Sequence, residues 1–290
     1  MSVANAAPTL KPSRLADMLS RHGRHVLVIA HRGHWAHAPE NSMSAIEAAI
    51  AAGADMVEID TQATADGRLV VIHDETLDRT TDRRGVVADL PVDVVRGARL
   101  RHGAGGSDAA LTDQRVPLLA EALEAARGRI AVNVDVKYAR DTDAVGRLVR
   151  DLGVTDEVLL KTPTDLDAAP FAALSLSWFG HVPHMPMLAA RPGRFAEDLR
   201  RIEALRPPVV EVHFSALDDL ASARAELERQ DTRLWVNTLE VSHDLDLRDG
   251  RAVVDPDGVW GPLIEAGVGA IQTDAVDALA AYLGSRGLLR

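Results

Sequence analysis

The chain has no cysteine among its 290 residues, so disulfide bonds and thiolate-ligated metal sites are excluded. Aromatic residues make up only 3% of the sequence, which leaves few rings for stacking on nucleic-acid bases. Positive charge is also in deficit, because the formal net charge is −11. Such a chain should not bind nucleic acid or an anionic membrane surface non-specifically, and an anionic substrate would need a local cluster of cations.

Long hydrophobic runs are missing as well, and stable insertion into a membrane is therefore not expected. Residues 1–25 lack the apolar core of a signal peptide, and Pro8 and Pro12 interrupt them. We therefore expect a cytoplasmic protein. The remaining composition, 47% hydrophobic and 26% charged, is typical of a globular domain.

The segment from residue 28 to residue 81 carries most of the information. Short β-branched runs predict three strands in it, and a helix capped by Asn41 or Ser42 and ended by Gly53 separates the first two strands. Each strand carries residues able to do chemistry at or near its end: His31 and Arg32, then Glu58 and Asp60, then His73 and Asp74. Reactive groups at the carboxyl ends of strands are typical of parallel α/β barrels.

The motifs HRG, PEN, E-x-D and HDETLDRTT follow one another in this segment, and together they resemble the glycerophosphodiester phosphodiesterase family. The resemblance implies an α/β fold, a TIM-type (β/α)8 barrel with a small insertion after the third strand. We expect an N-terminal extension at 1–24, a single barrel domain at 25–290 and the insertion at about 82–117. Residues 13–19 should form a short helix below the barrel, and the Gly-rich part of the insertion, around 103–108, is expected to be a solvated loop.

A later strand, predicted at 130–137, alternates so that Asn133, Asp135 and Lys137 share one face. In the family this strand usually reads E-x-K, so the resemblance implies that Asp135 is a third metal-binding carboxylate, one methylene shorter than usual, and that Lys137 binds phosphate. The alternative is a buried Asp135–Lys137 ion pair without a metal.

Three carboxylates supply only oxygen ligands, which suit one divalent cation such as Mg²⁺ or Ca²⁺, with Mn²⁺ as a further option. The predicted ligands are Glu58, Asp60 and Asp135. By resemblance, His31 and His73 are the acid–base pair, and the sequence leaves open which is the acid.

Four other positions carry two interpretations each. Lys161 is either a second cation near the phosphate or the partner of a carboxylate, and Trp235 either walls the pocket or packs in the core. Glu211 and His213 share a face, where a structural pair is favoured over a role in the pocket. More strands are predicted than a barrel needs, and the extra one is expected within 174–189.

The resemblance implies metal-dependent hydrolysis of a small-molecule glycerophosphodiester, such as glycerophosphocholine, to glycerol 3-phosphate and an alcohol. Two alternatives stay open: the same site acting on a lysophospholipid or another phosphodiester, and a non-catalytic phosphate-binding barrel. The sequence does not specify the oligomeric state.

Overall fold

The computed structural model describes residues 14–20, 25–242 and 245–290. The predicted N-terminal extension, residues 1–24, lies outside the described residues except for 14–20. Eleven strands lie within the described part of the chain: β1 (Leu27–Ala30), β2 (Met56–Ala63), β3 (Leu69–Val71), β4 (Arg99–Arg101), β5 (Leu111–Arg115), β6 (Ala131–Val136), β7 (Val158–Pro163), β8 (His184–Ala189), β9 (Val209–His213), β10 (Arg233–Asn237) and β11 (Ala270–Thr273).

Eight of these strands close into a parallel barrel in the order β1, β2, β6, β7, β8, β9, β10, β11 and back to β1. The predicted TIM-type barrel is therefore confirmed. Alternate residues of each strand face the interior, so Glu58 and Asp60 point inward while Val57 and Ile59 join the outer core.

Helices surround the barrel and cover the outer faces of its strands. Ser42 caps α2 by accepting a hydrogen bond from the backbone N–H of Ala45 at 3.1 Å. Among the described residues, no helix is long and apolar enough to cross a membrane. The helices are α1 (Arg14–Leu19), α2 (Met43–Ala51), α3 (Val92–Arg96), α4 (Leu119–Ala126), α5 (Thr142–Asp151), α6 (Phe195–Arg201), α7 (Leu217–Ser222), α8 (Arg224–Gln230), α9 (Asp249–Ala252), α10 (Pro256–Glu265) and α11 (Val276–Ser285).

The third strand of the chain, β3, does not belong to the barrel wall. It pairs antiparallel with the end of β2, with Thr61 opposite Val71, and thereby forms a hairpin that returns to the barrel mouth. Residues 174–180 form no strand while β8 lies in the barrel, so one candidate within 174–189 is indeed not a barrel strand; β3 was not expected to lie outside the wall as well. The hairpin delivers His73 to the mouth from above.

The insertion at 82–117 contains α3 and the antiparallel pair β4–β5. Its Gly-rich loop, 103–108, has exposed residues but is tied to the rest of the molecule: Gly103 N–H donates to the Ala38 carbonyl and its own carbonyl accepts from Glu40 N–H, each at 3.0 Å. The insertion shares a small apolar core with the hairpin, made of Val70, Ile72, Leu77, Val87, Val95, Ala98, Leu100 and Val116.

Helix α1 closes the base of the barrel, as predicted. Its apolar residues Leu15, Met18 and Leu19 are buried against the interior of the strands, and Arg233 Nε donates to the Leu19 carbonyl at 3.1 Å. The interior residues in this lower cluster are Leu27, Ile29, Met56, Leu159, Met185, Val209, Trp235 and Ala270. The apolar base leaves the upper part of the interior for polar side chains.

Candidate active site

Three carboxylates meet at the barrel mouth and form what we call the carboxylate triad: Glu58, Asp60 and Asp135. Strands β2 and β6 are neighbours, with Asp60 directly opposite Asp135 in their register. One oxygen from each residue lies within 4.8 Å of the others. Glu58 and Asp60 are each only 1% exposed, so these charges need compensation nearby.

Two lysines supply part of that compensation. Lys137 Nζ lies 2.8 Å from Asp60 Oδ1 and 3.5 Å from Asp135 Oδ2. Lys161 Nζ lies 3.2 Å from Asp135 Oδ2 and 4.0 Å from Glu58 Oε1. The Asp135–Lys137 ion pair considered from the sequence is therefore present, and it coexists with a triad whose geometry could hold a metal.

The electrostatics of the triad favour a further cation. Burial and the negative charge of Asp60 raise the pKa of Glu58, and Lys161 offsets this only in part. Burial also acts to raise the pKa of Asp60, but Lys137 and Arg32 outweigh it and the pKa is lowered. A buried, oxygen-only cluster in which one carboxylate resists ionisation fits a hard divalent cation.

The HRG motif forms a strained turn at the end of β1. Arg32 and Gly33 both have positive φ, +54° and +82°, and a Cβ on Gly33 would lie 2.6 Å from the Cβ of Ala45. The turn directs the backbone N–H of Arg32 to Glu58 Oε2 at 3.1 Å and its Nε to within 3.3 Å of Asp60 Oδ2. Arg32 thus joins the triad through both its backbone and its guanidinium.

His31 is held by an aspartate from the last barrel strand. Its Nδ1 lies 2.8 Å from Asp274 Oδ1, which also accepts from Trp35 Nε1 at 3.0 Å. The backbone N–H of Asp274 in turn donates to Asp249 Oδ2 at 2.7 Å. Because Nδ1 is engaged, Nε2 is the ring nitrogen left for proton transfer.

His73 is held by a second aspartate, through a chain of charged contacts. Its Nδ1 lies 2.7 Å from Asp74 Oδ1, and Arg79 donates to both oxygens of Asp74 at 2.7 Å. Arg79 also donates to both oxygens of Glu40, at 2.8 and 2.9 Å, while Arg32 Nη1 reaches Glu40 at 3.1 Å. Glu40 therefore links the turn after β1 to the segment after β3 that carries His73.

The surroundings shift the pKa values of His31 and His73 in opposite directions. Burial acts to lower the pKa of His31, but the hydrogen bond to Asp274 and the charge of Glu58 outweigh it, and the pKa is raised. Burial lowers the pKa of His73, and the nearby charge of Asp60 offsets this only in part. Such a divergence is characteristic of an acid and base that work together.

Lys161 and Trp235 lie deeper than the other predicted site residues. Lys161 contacts Glu211 Oε2 at 3.4 Å in addition to the triad, as the interpretation of a carboxylate partner predicts. Glu211 therefore pairs with Lys161 and with Asn237, and the expected Glu211–His213 pair is wrong, since His213 is exposed. Trp235 is fully buried in the lower cluster, where its contacts are those of a core residue.

Several supporting residues were not predicted from the sequence. Asp249 is the first residue of the short helix α9, and no sequence signal marks it as a supporting residue. Glu211 could have been found by asking which inward residue faces Lys161 across the barrel interior. His34 is buried and lies 3.1 Å from Asp277 Oδ2, whereas His37 is exposed.

Comparisons with known proteins agree with this geometry. The model of the glycerophosphoryl diester phosphodiesterase family matches residues 31–163, and a model of a domain of unknown function matches residues 184–283. A curated glycerophosphodiester phosphodiesterase from Bacillus altitudinis is 36% identical over 142 residues, 47% of this chain and 57% of that protein. The chain thus spans little more than half the length of this relative.

Solved structures share the whole fold. A glycerophosphodiester phosphodiesterase from Agrobacterium tumefaciens is 27% identical with a TM-score of 0.64, covering 88% of this chain and 99% of that one. An Oleispira antarctica phosphodiesterase, solved in complex with the product sn-glycerol-3-phosphate, has a TM-score of 0.67 at 21% identity, with coverage of 89% and 96%.

The segment that matches the family model contains both histidines, the carboxylate triad and the three basic residues that approach it. These residues meet at one mouth of a barrel that the solved phosphodiesterases share. Over residues 31–163 the chain therefore resembles the glycerophosphodiester phosphodiesterase family, and it shares the barrel fold of the solved phosphodiesterases.

Proposed function

We propose that the protein hydrolyses glycerophosphodiesters with the help of one divalent cation. The observation that carries this proposal is the meeting of two histidine–aspartate pairs at the carboxylate triad, His31 with Asp274 and His73 with Asp74. A phosphodiester is anionic and resists attack, so its hydrolysis needs charge neutralisation, an activated nucleophile and a protonated leaving group.

Arg32 and Lys137 are the proposed phosphate ligands. Both are partly exposed, at 17% and 21% of the side chain, and both contact Asp60. Arg32 offers a planar fork of donors and Lys137 a compact charge. Their placement beside the triad supplies the local cluster of cations that an acidic protein needs to bind an anionic substrate.

His73 is the proposed base and His31 the proposed acid. The lowered pKa of His73 leaves its ring neutral and able to take a proton from the attacking oxygen, which is either water or the glycerol hydroxyl of the substrate. The raised pKa of His31 keeps its ring protonated and able to donate to the departing alkoxide. Asp74 and Asp274 hold both rings with Nε2 available.

The carboxylate triad would hold the cation, and a bound Mg²⁺, Ca²⁺ or Mn²⁺ would supply Lewis-acid stabilisation of negative charge on the phosphate. Glu58 and Asp60 are fixed by hydrogen bonds from the Arg32 backbone and from Asn41, whose Nδ2 lies 2.7 Å from Asp60 Oδ2. The triad is therefore preorganised, with Asp135 as its more exposed member.

Glycerophosphocholine is the proposed model substrate, because relatives are named for glycerophosphodiesters and a solved relative holds sn-glycerol-3-phosphate as its product. One observation favours a second candidate, a lysophospholipid. Val241, Val253 and Val254 are exposed in the segment that follows β10, on the side of the barrel where the triad lies. Exposed apolar side chains on that side of the barrel would suit contact with an acyl chain.

The test is release of glycerol 3-phosphate by metal-stripped protein, with Mg²⁺, Ca²⁺ or Mn²⁺ added back singly. We expect release only with metal, and a loss of turnover of about 10²-fold or more in His31→Ala and in His73→Ala. His213→Ala, an exposed histidine at the end of β9, is the matched control and should retain activity.

Two other results would change the proposal. If the protein cleaves lysophosphatidylcholine but not glycerophosphocholine, the proposed site stands and the proposed substrate becomes a lysophospholipid. Metal-dependent binding of glycerol 3-phosphate without turnover of either diester would favour the non-catalytic barrel.

A further inference from the structure

A buried ion pair lies directly beneath the carboxylate triad. Lys161, on β7, has a side chain only 4% exposed, and its Nζ is surrounded by carboxylate oxygens at 3.2 Å from Asp135, 3.4 Å from Glu211 and 4.0 Å from Glu58. An ammonium enclosed in this way has little contact with solvent. Its contacts are with two of the three proposed cation ligands.

The other side of the pair is fixed by a chain of hydrogen bonds across two more strands. Glu211 Oε1, on β9, accepts from Asn237 Nδ2 at 2.9 Å. Asn237 Oδ1, on β10, accepts from Trp235 Nε1 at 2.8 Å, and Trp235 is fully buried in the lower cluster. Lys161 is thus tied through Glu211 to the apolar base of the barrel, which fixes where its charge lies.

The orientation of this pair decides what it does to a cation. The ammonium faces the triad and the carboxylate of Glu211 lies on the far side, so the triad experiences mainly the positive end. Lys161 and a bound divalent cation would compete for Asp135 and Glu58, and both are positive in a largely buried region. Competition for the carboxylates and repulsion between like charges therefore both weaken cation binding.

We infer that Lys161 is a positioning residue that weakens divalent-cation binding while it holds the carboxylates of the triad in place, so that the metal is exchangeable. The inference rests on the proposed function, since it needs the triad to be a cation site. It also gives Lys161 a role distinct from phosphate binding, in which Lys161 would act on substrate affinity and leave metal affinity unchanged.

The experiment is isothermal titration calorimetry of metal-stripped protein with Mg²⁺, Ca²⁺ and Mn²⁺ in the absence of substrate. Lys161→Met should tighten cation binding by about tenfold or more, because one like charge next to two ligands is removed. Glu211→Gln should weaken binding by a similar factor, because Lys161 loses its compensating charge. The double variant should return to within about threefold of the wild type, because the charge pair is removed as a unit.

Melting temperature separates this role from a purely structural one. Each single variant leaves a buried charge without its partner, so both should melt below the wild type. A purely structural role would therefore change the cation affinity of both variants in the same direction. The inference instead requires tighter binding in Lys161→Met and weaker binding in Glu211→Gln. If Lys161→Met does not fold, the double variant decides the matter, because cation binding that is tighter than in Glu211→Gln requires that the Lys161 charge opposes the cation.

The possible failures are distinguishable. Unchanged or weaker cation binding in Lys161→Met, or tighter binding in Glu211→Gln, overturns the inference and leaves the proposed function intact. A wild-type protein that takes up no divalent cation refutes the metal site and the inference together.

Discussion

Replacing Asp274 by asparagine tests the assignment of His31 as the acid. The substitution keeps the shape of the side chain but removes the charge that faces His31 Nδ1 at 2.8 Å. A hydrogen bond to a charged group contributes about 1.5–3 kcal/mol, which corresponds to a loss of about 10- to 150-fold in kcat/KM if it is made fully in the transition state. We expect the loss to fall on kcat, since Asp274 acts through His31 rather than on the phosphate.

The pH dependence gives a second, independent readout. Without Asp274 the burial of His31 is opposed mainly by Glu58, so the pKa of His31 should fall. An acid must be protonated to act, and the alkaline limb of the kcat/KM profile should therefore move to lower pH in Asp274→Asn. The assay is release of glycerol 3-phosphate between pH 5 and 9 at saturating metal.

A matched control exists three residues further along the chain. Asp277 pairs with His34 at 3.1 Å, and Asp277→Asn makes the same chemical change beside a histidine without an assigned role in catalysis. It should leave the pH profile unchanged. An alkaline limb that stays in place or moves to higher pH in Asp274→Asn would refute the assignment of His31 as the acid.

Three further predictions concern stability. Glu40→Ala removes a 3% exposed carboxylate shared by two arginines and should lower the free energy of unfolding by about 3–5 kcal/mol, measured by urea denaturation. Burial lowers the pKa of His184 to about 4, so the unfolded state binds more protons than the folded state between pH 6.5 and 4. The free energy of unfolding should therefore fall by about 3 kcal/mol as the pH drops through this window. His184→Gln should abolish this part of the pH dependence of stability. Gly33→Ala should prevent folding or inactivate the protein, because the added Cβ would clash with Ala45. Gly53 has φ +73° but nothing within 4 Å of an added Cβ, so Gly53→Ala should lower the free energy of unfolding by only about 1 kcal/mol, measured by circular-dichroism melting.

The barrel and the triad could be predicted because the relevant signals are local. Period-two alternation places Glu58 with Asp60 on one face, and the same rule groups Asp135 with Lys137. Parallel strands then bring their carboxyl ends to one mouth, which joins these two local patterns in one site.

The supporting contacts could not be predicted in this way, because they depend on which strands become neighbours. Lys161 meets Glu211 across a barrel interior, 50 positions away, and Asp274 meets His31 only when the last strand closes on the first. The antiparallel course of β3 was also missed, since its composition matches that of a buried parallel strand.

The hairpin of β2 and β3 has a consequence for attempts to redesign the protein. Val70 and Ile72 belong to the small core of the insertion, and the next residue along the chain is His73. A chimera that exchanged the insertion at its apparent ends, residues 82 and 117, would cut through this shared core and displace a proposed catalytic base. Grafts meant to change substrate preference should therefore exchange the whole unit from residue 69 to residue 117, so that the proposed base and the lobe that supports it are inherited together.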